Sequence, residues 1–176
     1  RFHAPPTRSN QQAGLDAARQ RSHVSQTRIQ RAREFLRQDP EQNIVGLVIY
    51  GSVAKGTATA ASDVDYLMVK RHGESFMFMD LADLQFHDRF SQHVGAVEHP
   101  PTMPLVLDAA LDRQPGQSFD VAIAMLFVPP HLVGAKMYGA RTPGASFITD
   151  WVVVARTPGL ERELTAKIQE RIEAVI

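Results

Sequence analysis

Two apolar segments that lie only twelve residues apart place the tightest limit on how this chain can fold. The first is "NIVGLVIY" at 43–50, and the second is "DVDYLMVK" at 63–70. Both are short and apolar, and this predicts two buried strands of one sheet. The first strand ends at Gly51-Ser52, where the chain turns and continues as a short helix or loop.

The rest of the chain adds helices and further strands to this pair. The predicted elements are a helix at 25–37, a helix at 74–94, a β-hairpin with arms at 105–111 and 119–127 around a Pro-Gly turn, a strand at 150–155 and a last helix at 159–176. Thr157-Pro158 is a start signal for the last helix, because Thr caps free N–H groups and Pro fits the first helical position. The order predicts an α+β fold, with a mixed, mostly antiparallel sheet and helices packed mainly on one face.

The length and the charge distribution favour one domain that follows an N-terminal arm. Residues 1–38 hold eight Arg against Asp16 and Glu34, whereas the remainder is acidic by six net charges. We expect 1–24 to be a basic, irregular arm and 25–176 to be the folded domain with its C-terminal helix. A basic arm of this kind fits contact with nucleic acid or nucleotide phosphate, and it equally fits a solvated helix surface.

Several classes of protein are excluded by composition. The chain has no cysteine, so disulfide frameworks and thiolate metal sites are ruled out. No apolar stretch reaches the ~18 residues that a transmembrane helix needs. There is no signal peptide pattern either. We therefore expect a cytoplasmic protein without a membrane partner.

Asp63 and Asp65 carry the strongest chemical signal. In an extended chain, residues i and i+2 point to the same face, so the two carboxylates lie side by side, within about 7 Å. They repel each other unless one takes up a proton or a cation lies between them. Mg²⁺ prefers oxygen ligands and keeps positions open for substrate phosphates. The pair therefore indicates a metal site at the start of a buried strand, although a solvated strand end has the same sequence pattern.

Gly51 and Ser52 suit a phosphate-binding turn. Glycine lets the backbone approach a ligand closely, and the Ser hydroxyl with the N–H groups of a following helical turn can hold phosphate oxygens. Lys55 lies one turn further along and would add a positive charge. The Walker A phosphate loop is excluded, because Lys55 precedes Gly56 where that motif needs Lys after its second Gly.

The joint pattern of strand, Gly-Ser, ten residues, Asp-x-Asp and strand resembles the signature of the DNA polymerase β-like nucleotidyltransferase superfamily. The signature resembles the minimal nucleotidyltransferase and poly(A) polymerase-like branches, and the elements "AKGTA" and "SDVDYLMV" are most similar to the minimal bacterial type. The similarity covers about residues 26–70. It implies a polymerase β-like palm and makes 25–176 the catalytic domain.

The resemblance also calls for a third carboxylate on a later strand. Asp120 in "SFDVAIAML" is the best match, because it would lie in an apolar strand where an unpaired carboxylate is costly. Asp108, Asp150 and Glu98 remain alternatives.

By resemblance, Asp63, Asp65 and Asp120 bind two Mg²⁺ ions, or Mn²⁺ in their place. Gly51, Ser52 and Lys55 hold the triphosphate of an NTP, expected to be ATP, and AMP passes to an acceptor hydroxyl. The acceptor is left open between a small molecule, an RNA 3′ end and a protein. Larger relatives close the cleft with a second domain, so we expect either that this chain is a fragment of a longer protein or that a second copy or a partner protein completes the cleft. The alternative is a non-catalytic or antitoxin-like regulator that keeps the fold and binds nucleotide.

Overall fold

The computed structural model describes residues 22–73, 79–101, 103–107, 115–127 and 148–175. Along the chain these residues form α1 (His23–Gln38), β1 (Ile44–Tyr50), α2 (Gly51–Lys55), β2 (Asp65–Lys70), α3 (Leu81–Val94), β3 (Leu105–Val106), α4 (Gln117–Leu126), β4 (Trp151–Ala155) and α5 (Pro158–Val175). The α+β class and the mixed, mostly antiparallel sheet that the sequence predicted are confirmed. The predicted arm at 1–24 lies outside the described residues except for 22–24, and α1 already begins at His23.

The sheet has four described strands in the order β3-β2-β1-β4. The central strand β1 pairs antiparallel with β2 on one side and with β4 on the other. At the end of β1, Tyr50 is paired with Asp65 and with Trp151. The short strand β3 pairs parallel with the far end of β2, where Leu105 is opposite Val69. One edge of the sheet therefore holds the end of β1 beside the starts of β2 and β4.

Helices cover both faces of this sheet, whereas the sequence predicted them mainly on one. Strand residues such as Leu47 and Met68 pack against α1, α2 and α3. Their neighbours Val48 and Leu67 face the opposite way and pack against α4 and α5. The reason is that β1 is buried along nearly its whole length, so its side chains need apolar partners on both sides.

The second arm of the predicted hairpin is wrong, because residues 117–126 form the helix α4. Gly116 is the residue that caps its start, and the core-facing side chains Phe119, Ala122 and Ile123 follow the i, i+3, i+4 spacing of a helix. Met125, on the other side, is 45% exposed. The Pro-Gly pair that suggested a hairpin turn instead precedes a helix.

The last helix starts as the sequence predicted, and the first starts at His23, two residues before its predicted bound. Ser22 caps α1 by accepting a hydrogen bond from the Ser25 N–H at 3.1 Å. Thr157 accepts one from the Leu160 N–H at 3.1 Å, and Pro158 is the first residue of α5. Within the described ranges, no helix has the combination of length and apolarity that a bilayer crossing requires.

Candidate active site

The sheet edge formed by Tyr50, Asp65 and Trp151 is the place where the chemically distinctive residues gather. Directly paired residues in a sheet project to the same face, so these three side chains form one row. Tyr50 and Trp151 pack on the core beneath α4 and α5, which puts Asp65 on that face as well. Gly51-Ser52 follows Tyr50 immediately and starts α2. The predicted phosphate-binding turn and the Asp-x-Asp pair are thus adjacent in space.

Gly51 is required at this turn for two independent reasons. Its φ angle is +68°, in the left-handed region that residues with a Cβ rarely adopt. A Cβ at this position would also lie 2.4 Å from the Oδ2 atom of Asp65. The Asp65 carboxylate therefore rests against the backbone of the turn, and only glycine leaves room for it.

The two aspartates form a partly buried pair of like charges. Burial raises the pKa of Asp65, and the nearby charges of Asp63 and Glu98 raise that pKa further. Burial also raises the pKa of Tyr50, and the charges of Asp65 and Asp63 add to that effect. The pKa values of Tyr50 on β1 and Asp65 on β2 are thus both raised by the negative charge at this place. Within the part of the chain that the structure describes, neither aspartate has a salt bridge or side-chain hydrogen bond.

Ser52 and Lys55, the other two predicted phosphate-binding residues, differ in their distance along α2 from Gly51. Ser52 is half-buried in the first turn of α2, whose leading N–H groups have no partner inside the helix. Its hydroxyl makes no hydrogen bond with a described residue. Lys55 is exposed and ends α2, one turn away from Gly51. The turn therefore presents polar donors next to Asp65, while Lys55 is further from the pair along the helix.

Glu98 is the third carboxylate that the structure brings toward the pair. The Val64 N–H, between the two aspartates, donates a hydrogen bond to the Ala96 carbonyl at 2.8 Å. This bond places the segment after α3 beside the start of β2. Glu98 and Asp63 line the same cleft of about 420 Å³. The Glu98 side chain is 69% exposed, so it is free to change its rotamer.

The structure does not bring Asp120 to this pair. The chain before α4 is attached to the opposite end of β2, because the Gly116 N–H bonds to Leu107 and the Leu107 N–H bonds to Lys70. Five residues of strand, about 17 Å, separate that end from Asp65. Asp120 instead forms a two-pronged ion pair with Arg171, with distances of 2.5 and 2.8 Å.

The remaining alternatives are placed differently. Asp150 precedes Trp151 on β4, two strands or about 10 Å across the sheet from Asp65. It is exposed, and its carboxylate accepts a hydrogen bond from the Thr149 hydroxyl at 3.1 Å. Asp108 lies outside the described residues.

The oxygen donors at this edge fit a divalent cation, because they are carboxylates that carry uncompensated charge in the described part of the chain. The described residues do not include a group of three or more His, Asp or Glu side chains close enough to hold a metal ion. To hold a metal ion, the pair Asp63–Asp65 would thus need a third oxygen from Glu98, from an undescribed residue or from a substrate phosphate. Sequence reasoning missed Tyr50, although its position directly before Gly51 was a usable signal.

Comparison with protein families gives an independent result. Residues 29–99 match the family model described as "Nucleotidyltransferase domain". The chain has no significant match among curated proteins or among solved structures. The matched range contains β1, the Gly51-Ser52 turn, both aspartates and Glu98. This match supports the general function of nucleoside monophosphate transfer, with an NTP as the substrate. Residues 29–99 therefore form a nucleotidyltransferase domain of the DNA polymerase β-like superfamily.

Proposed function

We propose that this protein transfers AMP from ATP to an acceptor hydroxyl at the edge formed by Gly51, Ser52, Asp63 and Asp65. The observation that carries the proposal is the unpaired Asp63–Asp65 pair, held against the Gly51 backbone inside a nucleotidyltransferase domain. A structural role does not explain why two carboxylates share a partly buried place without a described counter-charge.

Asp63 and Asp65 are the residues that would hold Mg²⁺ or Mn²⁺. When bound, the metal supplies positive charge that neutralises the triphosphate and lowers the pKa of the acceptor hydroxyl. Glu98 is a better candidate than Asp120 for the third oxygen ligand, since its charge acts on Asp65 and it shares a cleft with Asp63. Asp120 already has Arg171 as its partner.

The turn provides the binding side of the reaction. The Ser52 hydroxyl and the leading N–H groups of α2 donate to oxygens of the β- and γ-phosphates. Gly51 lets those phosphates approach without a Cβ in the way. Holding the α-phosphorus in line with the acceptor oxygen is the main contribution of the protein, because positioning can supply most of the rate in such a transfer.

The bond changes are those of a single substitution at phosphorus. A bond forms between the acceptor oxygen and the α-phosphorus while the bond from the α-phosphorus to the bridging oxygen breaks. Pyrophosphate leaves with the bonding electron pair, and the acceptor proton passes to a carboxylate at this edge or to water. The cleft between Asp63 and Glu98 opens beside the pair and has space for part of an acceptor.

A second function, nucleotide binding without transfer, is favoured by one observation. The described residues lack a complete three-carboxylate group, as a regulator that keeps the fold would. In that case NTP binds at the turn, and no pyrophosphate forms.

The test uses ATP labelled at the α- or at the γ-phosphate, with Mg²⁺ and a panel of small-molecule, RNA and protein acceptors. We expect the α-label to appear on an acceptor and the γ-label to appear in pyrophosphate. The Asp63→Asn variant should do neither. Transfer of the γ-label would show a kinase reaction, and tight binding without release of pyrophosphate would favour the regulator.

A further inference from the structure

Ser22, which caps α1, and the first two turns of that helix hold the loop that connects the Gly51-Ser52 turn to Asp63. Three side chains of this segment make the contacts, and we call them the latch: Ser22, Ser25 and Arg28. The latch lies before residue 29, where the match to the nucleotidyltransferase domain begins. The signature residues therefore do not account for it.

Ser22 and Ser25 fix the first half of the loop. The Ser22 N–H donates to the Gly56 carbonyl at 2.9 Å, and the Ser22 hydroxyl donates to the Ala58 carbonyl at 2.7 Å. The Ala58 N–H donates to the Ser25 hydroxyl oxygen at 3.2 Å. Ser25 is completely buried. Both polar groups of the Ala58 backbone are thus satisfied by α1 rather than by the loop itself.

Arg28 fixes the second half of the loop. Its guanidinium donates to the Ser62 carbonyl and, at 3.3 Å, to the Ala60 carbonyl. The side chain is 8% exposed and forms no salt bridge with a described carboxylate. Burying a guanidinium with only carbonyl partners is costly, so these two hydrogen bonds are what compensates Arg28 for its lost hydration.

The Ser62 carbonyl belongs to the peptide bond that leads into Asp63. The next peptide bond, between Asp63 and Val64, is held from the other side by the hydrogen bond to Ala96. The backbone on each side of Asp63 is therefore fixed by a different element, α1 or the segment after α3. Asp63 itself lies before β2 and lacks the strand pairing that holds Asp65.

We propose that Arg28, assisted by Ser22 and Ser25, is a positioning residue that holds Asp63 in the place where it binds the metal–nucleotide complex. The inference rests on the proposed function, because it assigns Asp63 a metal-binding role. Arg28 acts only through the loop backbone and does not touch the substrate.

Arg156 offers a matched control. It also donates to backbone carbonyls of the α1 region, those of Leu36, Asp39, Glu41 and Ile44, but at the other end of that helix. It follows Ala155, which pairs with Gly46 near the start of β1, whereas the site lies at the end of β1. Arg156→Met thus removes a similar set of bonds from a place remote from Asp63.

The experiment compares the wild-type chain with Arg28→Met, Arg28→Lys and Arg156→Met. We measure thermal unfolding, the exchange of backbone amide hydrogens, and the dependence of ATP binding and AMP transfer on Mg²⁺. For Arg28→Met we expect roughly 10- to 100-fold weaker Mg²⁺ affinity, so ATP binding and AMP transfer should need correspondingly more Mg²⁺, as for other residues that orient metal ligands. Arg28→Lys should be intermediate, because Lys cannot bond two carbonyls in a fork.

Amide exchange gives a readout that does not depend on activity. The amides of residues 58–64 should exchange at least about tenfold faster in Arg28→Met, since the opened loop loses protection. In Arg156→Met they should exchange as in the wild type, even if both variants lose similar thermal stability.

The outcomes separate the two proposals. If the wild type transfers AMP and both Met variants behave alike toward Mg²⁺, the positioning role is overturned and the function stands. If the wild type neither binds ATP nor releases pyrophosphate, the proposed function fails and the positioning role fails with it. Unchanged exchange in Arg28→Met overturns the latch itself, whatever the activity.

Discussion

Replacing Gly51 by Ala should lower both the free energy of unfolding and the rate of AMP transfer, and the structure gives the size of each effect. The residue has φ of +68°, and a Cβ in the left-handed region costs roughly 1–2 kcal/mol. The new Cβ would lie 2.4 Å from the Asp65 Oδ2, and real Cβ atoms essentially never come within 3.0 Å of a non-bonded heavy atom from elsewhere in the chain. The carboxylate must therefore move by at least ~0.6 Å. An off-rotamer Asp65 adds about 0.5–1.5 kcal/mol.

Gly95 supplies the control for backbone strain alone. It ends α3 with φ of +77°, and a Cβ built there meets no atom within 4 Å. Gly95→Ala should cost roughly 1–2 kcal/mol, and Gly51→Ala should cost about 0.5–1.5 kcal/mol more. Both variants gain equally from the lower entropy of the unfolded Ala chain, so the difference isolates the collision with Asp65.

The assay is urea unfolding followed by circular dichroism in metal-free buffer, together with AMP transfer in Mg²⁺. Gly51→Ala should lose at least about tenfold in transfer, because displacements approaching 1 Å cost about 100-fold. In the Asp65→Ala background, the extra stability cost of Gly51→Ala should vanish. The reasoning is refuted if Gly51→Ala costs no more than Gly95→Ala, or if the extra cost survives without the Asp65 carboxylate.

Three further predictions concern the acidic residues. Asp63→Ala and Asp65→Ala should each abolish AMP transfer while the circular dichroism spectrum stays native; full activity of either would contradict the site. The raised pKa of Asp65 means that, without metal, its contribution to stability is complete below its ordinary value of 3.8 and is lost as pH rises through the raised pKa. Urea unfolding across this pH window should therefore show that Asp65→Asn becomes more stable than the wild type as pH rises. Mg²⁺ should reduce this difference in the free energy of unfolding. If the free energies of the two proteins changed in parallel with pH, the like-charge pair would be disproved. Glu98→Gln should raise the Mg²⁺ requirement of transfer, while Asp120→Asn should mainly lower stability by breaking the ion pair with Arg171; the reverse pattern would restore Asp120 as the third ligand.

Local patterns in the sequence predicted the centre of the fold and its site. β1, β2, β4 and the long helices α1 and α5 all lie close to their predicted bounds, because each has clear periodicity or clear start signals. Gly51-Ser52 and Asp63-x-Asp65 are near each other in the chain, and a single antiparallel strand pair brings them together. The number of residues between the two motifs is therefore enough to predict that they lie close together.

The residues that escaped prediction depend on longer-range or ambiguous features. "FDVAIAMLF" is a short apolar run whose period does not separate a strand from a buried helix, and its Pro-Gly start suits a hairpin as well as a helix cap. With the strand assignment wrong, Asp120 lost the reason for placing it at the site. Glu98 is brought toward the pair by the hydrogen bond from the Val64 N–H to the Ala96 carbonyl, and these two residues are separated in the chain by the whole of α3. The Arg28 contacts with backbone carbonyls have no sequence signature at all.

Metal binding measured directly is the most decisive test of the account. Mn²⁺ titrations followed by electron paramagnetic resonance, with and without a non-hydrolysable ATP analogue, report whether metal and nucleotide bind together. The wild type should bind Mn²⁺ much more tightly when the analogue is present, and the folded Asp63→Asn/Asp65→Asn double variant should lose this binding. Equal Mn²⁺ and nucleotide binding by the two proteins would contradict the claim that this aspartate pair is the metal–nucleotide site.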